Sequence, residues 1–166
     1  DFVKNGFKPG FQIGIENSSA RYHKKYVPFV VSENLRDWLD QSVVAGDVNQ
    51  GGFIFHGFIG GALARAPSVQ LWLDIENAEL DYMSPWPAVS EVKAELILDT
   101  AHLLVNASAG KLYGSTLHNA KVELASQENG VSNLLINGQV SGSLKDGQKL
   151  LSESPIAEVT NDTFAT

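Results

Sequence analysis

Histidines, serines and paired carboxylates are the side chains in this sequence that could do chemistry, as metal ligands, nucleophiles or proton donors. The four histidines, His23, His56, His102 and His118, show neither the HxxxH nor the HExxH spacing of zinc sites, and the chain has no cysteine. We therefore expect no metal and no cofactor, and we interpret each histidine as a polar-face residue of a strand.

A Ser–His–Asp triad can be drawn from Ser115, His118 and Asp99, but the G-x-S-x-G turn that exposes a serine nucleophile is absent. Asp74 and Glu76 are two residues apart, so they share one face of a strand, whereas glycosidase chemistry needs carboxylates that flank a substrate. The glycines form neither G-x-G-x-x-G nor a P-loop. The sequence predicts a protein that is not an enzyme.

Charge and composition exclude other classes. The formal net charge of −7 and the pI near 5.0 argue against nucleic-acid binding, which relies on clustered Lys and Arg. No apolar run approaches the roughly 18 residues of a membrane-spanning helix. The chain begins at Asp1 without a signal-like segment. We expect residues 1–166 to be a single β-rich module of a larger protein, with a core of its own.

The elements that would position these side chains are mostly strands. Apolar and polar residues alternate on both sides of the Ser84–Pro87 turn, which is typical of a sheet with one apolar and one polar face. Similar patterns predict strands at about 11–22, 46–57, 69–82, 91–98, 102–113, 117–126 and 132–143. Because the connectors between the later strands are short, the sequence predicts an antiparallel meander.

One amphipathic helix is expected near 32–45, with Ser32 as its N-cap and Gly46 as its stop. It should pack on the sheet or close one end of it, and its Trp38 face is the expected cover for Trp72. Residues 148–152 are expected to form a single helical turn before Pro155, and residues 157–166 a loose tail.

A small pattern recurs in the predicted strands, where Asn is followed by a small residue. Asn and Gly are poor strand formers and often mark a β-bulge. Either the repetition is chance, or the residues are bulges at similar height that curve the sheet. The copies are Asn77, Asn106, Asn119, Asn137 and, more weakly, Asn17. The predicted fold class is mainly β with a minor helical part, a curved antiparallel meander that forms a trough or an open sandwich.

Two sequence blocks resemble a known family. They are LRDWLD, GDV and GGFIFHG within 35–57, followed by NAELDY and Trp86-Pro87 within 77–87. Over about residues 25–156 the chain resembles the YhdP branch of the AsmA-like family. The resemblance implies an inner-membrane-anchored periplasmic protein of the Gram-negative envelope, whose repeated β modules carry phospholipid acyl chains along an apolar trough toward the outer membrane. It also implies neighbouring β modules, and inner- and outer-membrane proteins, as partners.

The resemblance supplies a surface rather than catalytic residues, and the alternation supplies the candidates that would line it. The candidate lining positions are Leu71, Leu73, Ile75, Val92, Ala94, Leu96, Leu98, Val122, Leu124, Ile136 and Val140. The same alternation would also build a closed sandwich or a helix-covered sheet. Two other functions stay open: a periplasmic scaffold that binds proteins along its sheet edges, and, third, a small carbohydrate-active or hydrolytic β domain.

Overall fold

The computed structural model describes residues 7–22, 33–58, 67–100, 102–126 and 132–157. These residues form one antiparallel sheet of seven strands in chain order, so the predicted meander is confirmed. The first and last strands each pair with one strand only, and the sheet is therefore open. The strands are β1 Gly10–Ser19, β2 Val43–His56, β3 Ser68–Leu80, β4 Val89–Asp99, β5 His102–Leu112, β6 Ser115–Ser126 and β7 Ser132–Ser141.

The register between neighbouring strands sorts the side chains into two faces. Leu71 of β3 lies opposite Phe53 of β2 and Leu98 of β4, and Leu98 in turn lies opposite Leu103 of β5. All three clusters of buried hydrophobic side chains consist of strand residues. We call the face that carries these clusters the apolar face and the opposite one the polar face.

The sheet has a single layer within the described ranges. No second sheet is present there, and neither described helix contributes to the buried clusters, so this part of the molecule is not a closed sandwich. Burial on the apolar face falls toward β7: Phe55 on β2 is 2% exposed, whereas Ile136 on β7 is 45% exposed. The apolar face therefore stays open at that edge.

The first helix, α1, spans Glu33–Ser42, and β2 begins at the next residue. The predicted helix to residue 45 was too long, because the β-branched Val43 already pairs with Leu80 of β3. The Trp38 indole Nε1 donates to the Tyr82 carbonyl oxygen at 2.9 Å, which holds α1 at the end of the sheet. The predicted N-cap Ser32 lies outside the described residues.

Trp72 is not covered by α1, contrary to the prediction. Its side chain lies on the polar face, is 37% exposed, and donates from indole Nε1 to Glu95 Oε1 at 2.7 Å. The physical reason is that α1 leads directly into β2, so it is held at one end of the strands and cannot reach across their middle.

The second helix, α2, spans Leu144–Glu153, twice the length of the predicted turn. The Ser143 hydroxyl accepts from the backbone N–H of Asp146 at 3.1 Å, which caps the first turn. The S-x-x-D spacing at 143–146 is the sequence signal for this start. The Ser115 hydroxyl donates to Asp146 Oδ2 at 2.7 Å, so α2 lies at the same end of the sheet as α1. Most of the predicted tail, 158–166, lies outside the described residues.

A line of β-bulges crosses the sheet. Asn77 on β3, Glu91 on β4 and Asn119 on β6 have positive φ, and register shifts occur at each of them. Asn17 on β1 also has positive φ, at 49°. Three of the five predicted Asn positions are thus in the left-handed conformation, which Asn adopts more easily than most residues. The other two have no positive φ: Asn106 lies in a regularly paired segment, whereas Asn137 pairs with Lys121 beside the register shift of β6.

The bulges keep apolar residues on one face where strict alternation would move them to the other. In each of five neighbouring strands two apolar-face residues are three positions apart, so the bulge absorbs the extra residue. These pairs are Val48/Gly51, Ile75/Ala78, Val89/Val92, Ala107/Gly110 and Leu117/Ala120.

Gly51 and Gly52 are neighbours on β2 that point to opposite faces, and alanine should have opposite effects at the two positions. A Cβ on Gly51 would lie 2.6 Å from Leu73 Cδ2 and 2.8 Å from the Trp72 carbonyl oxygen, whereas a Cβ on Gly52 meets nothing within 4 Å. We expect Gly51→Ala to lower the free energy of unfolding by about 1–3 kcal/mol through overpacking. Gly52→Ala should raise it by about 0.5–1 kcal/mol, because it removes the entropic cost of a strand glycine.

Urea denaturation of both variants measures this difference. A loss of stability in Gly52→Ala as large as that in Gly51→Ala would contradict the assignment of the two faces.

Candidate functional site

All eleven candidate lining positions lie on the apolar face. One row of directly opposed residues illustrates this: Leu73 faces Leu96, and Leu96 leads through Val105 and Val122 to Ile136. The register therefore brings them together across five strands, β3 to β7. Their role in lining a lipid groove stays a prediction.

The eleven positions differ in exposure. Leu73, Val92 and Ala94 are buried, at 8%, 4% and 6% exposure, whereas Ile136 and Val140 are 45% and 46% exposed. The buried positions hold the sheet together, and the exposed ones on β7 present apolar surface to whatever lies beside the edge.

The sequence analysis missed the apolar-face residues beyond the bulges. On β3, β4 and β6 they lie an odd number of residues from the candidate positions, because one residue is inserted between the two groups. The strand β5, which carries Leu112, has no candidate position. The signal that could have found them is the i, i+3 spacing of apolar residues around Asn77 and Asn119. These missed residues are Leu80, Val89, Leu112 and Leu117.

The apolar face also extends farther toward β1 than the candidate positions do. Phe11 on β1 stacks on Phe55 of β2, with ring centroids 5.1 Å apart and an interplanar angle of 20°. Ile13 lies opposite Phe53 and is 50% exposed. The alternation of apolar and polar residues at 11–15 in the sequence indicated that the apolar face extends to β1. The apolar face thus reaches from one open edge of the sheet to the other.

A row of small side chains crosses the apolar face beside the bulges. Ala94, Ala107 and Ala120 are direct cross-strand partners, and a Cβ on Gly138 of β7 would lie 3.1 Å from the Ala120 Cβ. Larger side chains pack along the row, namely Ile75, Val89, Val105 and Leu117. Because its side chains are shorter than those beside it, the row forms a shallow depression in the apolar face that runs perpendicular to the strands.

The polar face carries cross-strand ion pairs. The Lys93 ammonium donates to Glu76, and this hydrogen bond lowers the pKa of the Glu76 carboxyl. Hydrogen bonds from His102 and Lys121 likewise lower the pKa of the Glu123 carboxyl. All of these groups are at least one-third exposed, which is typical of a solvated face.

The edge strand β7 lacks two features that often prevent edge pairing, charged side chains and proline. Its residues Ser132–Ser141 include no charged side chain and no proline. Leu134 and Ile136 on the apolar face and Leu135 on the polar face are 49%, 45% and 56% exposed. An edge with exposed apolar residues and no charges is a template for pairing with another strand.

The side chains considered for catalysis do not lie close enough together to form a catalytic site. Ser115 is bonded to Asp146 and His118 to Ser141 Oγ at 2.8 Å, while Asp99 lies at the opposite end of the strands. Asp74 accepts from Asn49. Among the residues with described positions, no three histidines or carboxylates are grouped to hold a metal ion.

No helix in the described ranges is long and apolar enough to cross a membrane.

Comparison with known proteins gives one match. A family model with the description YhdP protein matches residues 9–166, a longer stretch than the two sequence blocks indicated. No curated protein and no solved structure matches the chain significantly.

The bulge on β6 gives a test of how the apolar face is shaped. Asn119 has a φ of 47°, a conformation that β-branched residues adopt only with strain. We expect Asn119→Val to lower the free energy of unfolding by about 1–3 kcal/mol, and Asn119→Gly to leave it nearly unchanged.

Asn106→Val is the matched control, because Asn106 is exposed and regularly paired on the adjacent strand. Chemical denaturation of the three variants measures the difference. Equal free energies of unfolding for Asn119→Val and Asn106→Val would contradict the assignment of a β-bulge at Asn119.

Proposed function

This chain belongs to the YhdP family, and we propose that it carries phospholipid along its apolar face toward the outer membrane, as a periplasmic module of an inner-membrane-anchored protein. The family is a non-enzymatic, lipid-transport-related family of the Gram-negative envelope. Phospholipid as the cargo, and the direction of its movement, belong to the proposal.

The observation that carries the proposal is the continuity of the apolar face. It extends over all seven strands, reaches both open edges and remains exposed at β7. Each exposed CH₂ of an acyl chain costs about 0.8 kcal/mol in water. A face of this kind removes that cost for the acyl chains, while the headgroup stays in solvent.

The chemistry of the face suits movement rather than tight binding. Burial of an acyl chain against aliphatic side chains is non-directional, so no single position holds the lipid. The row of alanines from Ala94 to Ala120 runs across the strands and gives a path of even depth. The Lys93–Glu76 and Lys121–Glu123 ion pairs lie on the opposite face.

Neighbouring β modules are the partners that we propose for the two edges. A strand added beside β7 would pair with its free backbone groups and would extend the apolar face without interruption. Proteins of the inner and outer membranes are proposed partners at the ends of such an assembly.

A second candidate function is a periplasmic scaffold without lipid cargo. The charge-free edge of β7 favours it, because this edge suits strand addition whether or not lipid is present. Lipid content distinguishes the two functions.

The test compares two adjacent residues of β7 on opposite faces. A buried candidate position such as Leu73, which is 8% exposed, is unsuitable for substitution by aspartate, because a charge there would unfold the sheet. Ile136 on the apolar face and Leu135 on the polar face are 45% and 56% exposed, so aspartate is tolerated at both. We expect Ile136→Asp to lose about three- to tenfold in bound phospholipid, since a lipid can newly bury about half of this side chain, a contribution of about 0.7–1.5 kcal/mol. Leu135→Asp should retain wild-type phospholipid.

The measurement is native mass spectrometry with lipid extraction of the chain purified from a membrane-containing lysate. The thermal unfolding midpoint of each variant must lie within a few degrees of that of the wild type, so that a loss of phospholipid does not reflect unfolding. Absence of phospholipid from the wild type, or equal loss in the two variants, would favour the scaffold.

A further inference from the structure

A second surface lies on the polar face near the β1 edge. Four residues form one cross-strand row there: Gly14 of β1, Gly52 of β2, Trp72 of β3 and Ile97 of β4. Trp72 and Ile97 are 37% and 36% exposed, which makes this an aromatic and aliphatic patch on the face that carries the ion pairs. We call these four residues the Trp72 row.

The Trp72 row is open between the indole and the β1 edge. A Cβ at Gly14 or at Gly52 would meet nothing within 4 Å. The indole Nε1 donates to Glu95 on β4, which lies on the side of Trp72 away from the two glycines. Two strand glycines destabilise a sheet, and here they leave a lane that leads from solvent at the edge to an aromatic ring.

Unpaired carboxylates border this lane. Glu16 lies two residues from Gly14 on the same face, and Asp74 and Glu95 lie two residues from Trp72 and Ile97. Within the described ranges, no lysine or arginine forms an ion pair with any of the three. The nearby Lys93 is paired with Glu76. Lys93 also interacts electrostatically with Asp74, so Glu16 and Glu95 supply the net negative charge beside the aromatic surface.

We propose that the β1 edge accepts a partner strand that carries an arginine opposite Gly14, and that this arginine lies in the lane against Trp72. The inference rests on the proposed edge pairing of modules and names the chemistry of the partner strand. Three interstrand steps of about 4.8 Å separate the partner strand from β3. Only a long side chain from the partner strand could approach the indole across that distance.

Arginine fits the lane better than other residues for three reasons. Its planar guanidinium stacks on an indole face, it keeps its charge at any physiological pH, and it hydrogen-bonds carboxylates such as Glu16 in a bidentate manner. An aliphatic side chain would leave the carboxylates uncompensated, and an acidic one would be repelled by them. The partner strand is thus distinguished from one that would fit the uncharged β7 edge.

The experiment is an NMR titration of the 166-residue chain with two synthetic nine-residue peptides of alternating valine and threonine. One peptide has a central arginine, and the other has citrulline, its uncharged isostere. We expect the arginine peptide to shift the Gly14 amide and the Trp72 indole signals and to bind at least fivefold more tightly than the citrulline peptide.

Substitutions in the chain measure how much each part of the lane contributes to binding of the arginine peptide. Trp72→Leu should weaken binding of the arginine peptide about two- to fivefold, the size of an exposed cation–π contact. Gly14→Thr should abolish it, because the side chain fills the lane in a residue type that strands favour. Glu16→Gln should weaken binding, whereas Glu123→Gln, on the same face at β6, should not.

Equal binding of the two peptides, no shift up to millimolar peptide, or shifts at β7 in place of β1 would each overturn the proposal. Its failure is separable from failure of the proposed lipid function, because Gly14→Thr leaves the apolar face unchanged and should retain wild-type phospholipid.

Discussion

The rest of the structure depends on one constraint: apolar side chains must lie on the same face of the sheet on both sides of the line of β-bulges. A strand that slips by one residue turns every later side chain to the other face. Five neighbouring strands each insert one residue at this line, so the apolar residues on both sides of it stay on one face. Asn77 and Asn119 provide the left-handed conformation that the insertions require.

This shared parity explains how one layer of strands can present two faces of different character. The apolar face buries its side chains against one another from β2 to β6 and stays exposed at β7, whereas the polar face carries ion pairs such as Lys93–Glu76. The two described helices lie at the same end of the strands, α1 beside β3 and α2 beside β6. Each edge has its own chemistry: acidic and aromatic beside β1, uncharged and aliphatic at β7.

Much of the sheet could be predicted from the sequence, because period-2 alternation depends only on burial of one face. The choice of Leu71, Leu73 and Ile75 for the apolar face relied on it. Leu80 and Leu117 were missed because the bulges change parity, and one sequence does not tell which Asn will bulge: Asn119 does and Asn106 does not. The full length of α2 was signalled by its Ser143 cap, but Gly147 within it favoured a shorter helix. The position of α1 depends on tertiary contacts with Tyr82, which alternation cannot indicate.

The most direct test of the central claim is a photo-crosslinking scan along β7 of this chain in a membrane-containing lysate. A photoreactive amino acid is placed singly at positions 134–140, and phospholipid adducts are measured by mass spectrometry. A continuous lipid-carrying face predicts adducts at 134, 136 and 140 and none at 135, 137 and 139, the period-2 pattern of the register with β6. Adducts at every position, or at none of them, would contradict the assignment of this face to lipid.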